Sequence, residues 1–132
     1  MKILLDTHIL LWALVWDDKL PDNVYKAINA PTNEIYYSVV SVWELTIKHV
    51  KNPKLMPISG EKLAVLCDQF GYWRLPLLNE HIYLLPGLHL GKGSHNDPFD
   101  RMLICQAKAE EMTFITHDAV LSNYNEPCVT VI

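Results

Sequence analysis

The chain has 132 residues, half of them hydrophobic and 20% charged, with a formal net charge of −4. That balance suits one domain, residues 1–132, with a substantial core, and argues against intrinsic disorder. A mildly acidic protein has no general attraction for nucleic acid, so a nucleic-acid partner requires a local basic patch or bound cations.

The apolar stretch 9–16 is too short to span a bilayer, and a single Lys2 without a small-residue cleavage site argues against a signal peptide. The expected location is the cytoplasm, with no membrane contact. Cys67, Cys105 and Cys128 are odd in number, widely spaced and set among apolar neighbours. They read as reduced core thiols, not as a disulfide framework or zinc site.

In chain order, residues 2–5 form an apolar strand, followed by a helix over 7–15 that is apolar nearly all round. Such a helix is buried on several faces or covered by a partner. A helix over 21–30 starts with proline in its first turn, and 33–38 is rich in residues that favour extended structure. Ser41 is expected to cap the next helix, with Glu44 three residues on completing a capping box, and the helix runs to 50. Residues 60–70 form a fourth helix closed by Gly71. A strand over 73–77, a short helix over 79–85 and a glycine-rich loop over 87–96 follow. The chain closes with a helix over 98–111, a strand over 113–116, a short helix over 119–123 and a strand over 128–132.

Strands alternating with helices imply an α/β fold, three layers deep, with a mostly parallel central sheet. Open parallel sheets place ligands beyond the carboxyl ends of their strands. Asp6 and Asp118 directly follow predicted strands, while Glu44 and Asp100 lie in early helical turns. Each acid has an ordinary explanation: Asp6, Asp97 and Asp118 can cap helices, and Glu44 can pair with Lys48 one turn on. Together they form a set of hard oxygen ligands suited to Mg²⁺ or Mn²⁺. A metal so held activates water and stabilises charge on a phosphoryl centre. No Gly-x-Ser-x-Gly, His-Glu-x-x-His or phosphate-binding glycine loop is present.

Four ordered segments carry a resemblance: Leu4-Leu5-Asp6-Thr7-His8-Ile9-Leu10-Leu11-Trp12, Ser41-Val42-Trp43-Glu44-Leu45, Asp97-Pro98-Phe99-Asp100-Arg101-Met102-Leu103-Ile104 and Ile115-Thr116-His117-Asp118. This pattern resembles PIN-domain proteins, and among them VapC-type toxins of bacterial type II toxin–antitoxin modules. The resemblance implies a PIN-like fold and a Mg²⁺- or Mn²⁺-dependent endoribonuclease with RNA as substrate. It also implies an antitoxin partner and a homodimer. Carried over by motif, the catalytic acids are Asp6, Glu44, Asp100 and Asp118. Asp6 and Asp100 would touch the metal directly, with Thr116 and Asp97 in support. A phosphoacceptor signalling domain and a non-cleaving PIN-like scaffold are the competing readings.

Lys48, His49, Lys51 and Lys54, with Arg74, Lys92 and Arg101, are the candidates for phosphate contact. The four tryptophans read as core or partner interface, and the first helix as the surface a partner covers. Asp17-Asp18 and Glu110-Glu111 read as surface charge.

Overall fold

The computed structural model describes residues 1–89 and 96–132. Five strands, β1 (Lys2–Leu5), β2 (Glu34–Ser38), β3 (Trp73–Leu75), β4 (Thr113–Thr116) and β5 (Val129–Val131), form one sheet in the order β3-β2-β1-β4-β5. Every pairing is parallel. The helices are α1 (Thr7–Leu14), α2 (Asp22–Asn29), α3 (Val39–Lys51), α4 (Gly60–Gln69), α5 (Asn79–Ile82) and α6 (Pro98–Ala109). Short 3₁₀ turns span Asp17–Lys19, Leu85–Gly87 and Ala119–Tyr124. The expected α/β architecture is the observed one.

Alternation along the central strands sorts the core into two halves. Ile3, Leu5, Ile35, Tyr37 and Ile115 pack with Ile9 and Leu10 of α1, Val24 of α2, and Leu63 and Cys67 of α4. Leu4 and Phe114 turn the opposite way, onto Val40 of α3, Leu103, Ile104 and Ala107 of α6, and Leu121. Helices therefore cover both faces of the sheet. The chain first steps from β1 through β2 to β3, then returns to the other side of β1 for β4. That reversal places the topological switch point between the carboxyl ends of β1 and β4.

Several expectations need correction. The third helix begins at Val39 and is capped by Ser38, whose hydroxyl accepts from Val40 N–H at 2.9 Å. Ser41 and Glu44 are thus interior, buried residues, free of any capping duty. The first helix is in large part enclosed by this chain's own core: Thr7, Ile9, Leu10 and Leu11 are buried, while Trp12, Ala13 and Leu14 are half-buried. The exposed apolar stripe lies instead on α3, where Trp43, Ile47 and Val50 stand one turn apart. Trp43 and Trp73, each more than half exposed, are not core residues. Of the glycine-rich loop, 90–95 fall outside the described residues, and Lys92 with them. Cys67 and Cys105 are buried free thiols, and burial lifts the Cys67 thiol to about 12. Among the described residues no helix is long and apolar enough to cross a membrane.

Two glycines hold their places for different reasons. Gly71 follows α4 with φ of +81°, a conformation side-chain-bearing residues rarely adopt. Gly60 opens α4 where it meets α3, and a Cβ there would run into the Thr46 side chain and the Val42 carbonyl. The carbonyl is helical backbone and cannot swing aside. Gly60→Ala is therefore expected to cost about 1–3 kcal/mol, read as a lower urea midpoint with an unchanged slope.

Candidate metal and nuclease site

Asp6 is the residue between β1 and α1, and its position follows from both. Its backbone N–H extends the sheet by bonding Ile115 carbonyl at 3.0 Å. Its extended backbone then lets Oδ1 cap α1 by accepting from Thr7 N–H at 2.7 Å. Oδ2 accepts from the Thr116 hydroxyl at 2.7 Å. The residue is only 4% exposed. Burial raises its pKa above the ordinary carboxylate value; bonds from Thr116 and Thr7 and the nearby His8 oppose the rise, and Glu44 adds to it.

Thr116 works in two directions. Its oxygen accepts from Asp118 N–H at 3.1 Å while its proton goes to Asp6. The supporting hydroxyl thus joins the acid after β1 to the backbone of the acid after β4. Asp118 is half-buried, and its Oδ1 caps the following 3₁₀ turn through Val120 N–H at 3.0 Å. Asp6 and Asp118 line one depression of about 250 Å³ together with His8, Trp12 and His117. His117 is held by Ile132 carbonyl at 2.9 Å and by an edge contact with Trp12. A larger cavity of about 410 Å³ has a single acid in its lining, Asp17.

Glu44 is 3% exposed and joins this site through Thr7. Thr7 Oγ1 lies 2.8 Å from both Glu44 Oε1 and Ser41 Oγ. An ionised carboxylate only accepts, so Thr7 donates to Glu44 and takes the Ser41 proton. Glu44 Oε2 receives the ammonium of Lys48 at 2.5 Å. Both oxygens of Glu44 are therefore already engaged by this chain's own donors.

Asp97 and Asp100 enter from α6. Asp97 caps the helix, its Oδ1 accepting from Phe99 and Asp100 N–H at 2.8 and 3.2 Å. Burial lowers the pKa of the Lys48 ammonium, and the bond and charge of Glu44, with lesser help from the charges of Asp97 and Asp100, raise it above the ordinary value. An edge-on contact between Trp43 and Phe99, 5.0 Å between ring centres, locks the residues beside Glu44 and Asp100 against each other. Asp6 and Asp118 thus share one depression, while Glu44 is tied to Asp6 through Thr7 and to Lys48 directly.

Among the described residues no three acids, histidines or cysteines stand close enough to form a complete metal cage. Magnesium needs none, since it keeps most of its waters and takes one or two carboxylates. Each Asp6 oxygen accepts one hydrogen bond and retains a second lone pair. The donor set is thus compatible with a hard divalent cation.

Ser41, which the sequence offers as a helix cap for Glu44, instead joins Thr7 in the link from Asp6 to Glu44, a role the sequence shows for neither. Their only sequence signal is adjacency: Thr7 follows Asp6, and Ser41 precedes Glu44 by almost one helical turn. Glu110, which reads in the sequence as surface charge, accepts from the fully buried His81, whose Nε2 lies 2.9 Å away. Two basic candidates are committed elsewhere: Arg74 to Tyr37 and Asp68, and Arg101 to Leu88 carbonyl and Tyr124.

Such a molecule is a doubly wound parallel α/β protein with acids gathered at its switch point. A family model described as PIN domain matches residues 3–127, and the chain belongs to that family. Its fold is similar to that of a chain in the VapBC2 complex of Rickettsia felis bound to promoter DNA. The TM-score is 0.69 at 20% identity, covering 100% of this chain and 98% of that one. A chain of DNA-bound VapBC from Salmonella typhimurium gives 0.66 at 18% identity, with 100% and 97% covered. One from FitAcB of Neisseria gonorrhoeae gives 0.55 at 20%, with 92% and 89% covered. No curated protein matches the sequence.

The raised pKa of Asp6 carries a sign that can be measured. The folded state binds the proton more tightly than the unfolded chain, so stability falls as pH rises from about 3.8 through the folded pKa. In chelator, Asp6→Asn is expected to melt above the parent protein at pH 7, with the advantage shrinking as pH approaches 3.8. Calorimetric melts at several pH values decide this, and a pH-independent difference would contradict it.

Proposed function

We propose that this chain is a Mg²⁺- or Mn²⁺-dependent endoribonuclease acting as the toxin of a toxin–antitoxin pair. The observation that carries the reading is the buried, doubly hydrogen-bonded Asp6 sharing one depression with Asp118 at the switch point. An acid held ionisable against burial is costly, and a cation offsets that cost.

Asp6 and Asp100 are the residues proposed to hold the cation, with Glu44 and Asp118 acting through water or through their neighbours and Asp97 in reserve. A bound divalent ion supplies an activated water and neutralises charge building on the phosphoryl oxygens. The chain's own residues set the geometry. Thr116 fixes the Asp6 carboxylate and the Asp118 backbone at once, and Thr7 holds Glu44 against Asp6. The tight frame limits rotation of the acids, which favours orientation of substrate and water.

An antitoxin partner is supported by the nature of the similar structures, which are VapBC and FitAB complexes. The exposed Trp43–Ile47–Val50 stripe offers apolar surface to a partner or to a second copy in a homodimer.

Asp6→Asn and Asp100→Asn are each expected to lower Mn²⁺-dependent cleavage of RNA by at least ~100-fold, with circular dichroism unchanged. Chelation should silence the parent protein, and re-addition of Mn²⁺ should restore it. Retained metal-dependent cleavage in both variants would overturn the assignment. Co-expression with the protein of an adjacent small reading frame should relieve growth arrest.

A further inference from the structure

Lys48 stands one helical turn after Glu44 on α3, a spacing that on a solvated surface contributes little. Here the pair is unequal. The Glu44 side chain is 4% exposed and that of Lys48 42%, so the ammonium reaches from the surface to a buried carboxylate. The other Glu44 oxygen is already taken by Thr7. Asp97 and Asp100 act on the same ammonium from α6. Lys48 thus pairs directly with Glu44 while the charges of Asp97 and Asp100 add to the field at its ammonium, and α3 and α6 are held together by Trp43 and Phe99.

Resting on the metal-dependent reading above, we propose that Lys48 is a built-in counter-ion of the acid cluster that competes electrostatically with the divalent cation. Without cation, the lysine offsets repulsion among the acids of α3 and α6. With cation at Asp6 and Asp100, the same lysine is a like charge beside it and holds affinity down. The site thereby stays folded when metal is scarce and releases metal readily. A lysine that only braces Glu44 behaves differently, because its loss would loosen the site and weaken cation binding.

The two roles predict opposite signs. Calorimetric titration of the full chain with Mn²⁺ at pH 8, well above the ordinary carboxylate range, should show about three- to ten-fold tighter binding in Lys48→Met. In chelator, the same variant should melt below the parent protein, and Mn²⁺ should narrow that gap. Lys48→Arg, which keeps the charge, should match the parent in both measurements. Lys48→Gln, polar but uncharged, carries the same expectation as Lys48→Met and serves where that variant does not fold. Unchanged or weaker Mn²⁺ binding in a folded uncharged variant overturns the counter-ion role while leaving the metal reading intact. Failure of the parent protein to bind Mn²⁺ overturns the metal reading, and the counter-ion role with it.

Discussion

The Asp6 carboxylate, buried at the end of the central strand, is the constraint around which the molecule is arranged. β1 has a neighbour on each side and helices on both faces, so solvent reaches it only at its ends, and Asp6 lies at the carboxyl one. A charge placed there loses water on most sides. The chain replaces that water with two donors fixed by the fold, the first N–H of α1 and the hydroxyl at the end of β4. The first is local to the turn, but the Thr116 hydroxyl reaches Asp6 only when β1 and β4 pair in the observed register, with Leu5 beside Ile115. Site geometry and sheet register are therefore one requirement.

Capping and chemistry coincide in this protein instead of competing. Asp6, Asp97 and Asp118 each cap the element that follows them, and each does so with one carboxylate oxygen. In a parallel sheet, the helix after a strand starts at the strand's carboxyl end, which is where a switch-point crevice opens. A capping acid is consequently aimed near the crevice by local geometry. Glu44 is the exception: it sits mid-helix, and its direction is fixed by Thr7, 37 positions away, and by Lys48 one turn on.

Much of this was legible because it is local. The apolar runs at 2–5 and 113–116 match β1 and β4 residue for residue, the first ending one residue before Asp6 and the second two before Asp118. Gly71 was readable as a helix stop because a left-handed residue has few alternatives. The misreading at Ser41 has an equally local cause. Ser-x-x-Glu fits a capping box, but Ser38 hides at the end of a strand and claims the cap first. What local pattern could not show is pairing over long separations. Thr116 bonds a residue 110 positions away, and Gln106 bonds Ser38 across 68. The apolar first helix misled for a related reason: periodicity cannot distinguish a helix covered by a partner from one enclosed by α2, α4 and the sheet.

Charge accounting links the fold to the proposed chemistry. The chain is net acidic, and several of its cations serve the fold: Lys48 serves Glu44, Arg74 serves Asp68 and Tyr37, Lys108 serves Glu126, and Arg101 lies over Tyr124. A polyanion approaching the acids meets little uncommitted positive charge from those four. On the proposed reading, a divalent ion at the acids adds to the attraction for RNA phosphate, and substrate binding and cation binding become mutually reinforcing. Lys48 sets the balance point: while it answers the acids the site repels phosphate weakly, and once a cation shares them the excess positive charge turns outward toward substrate.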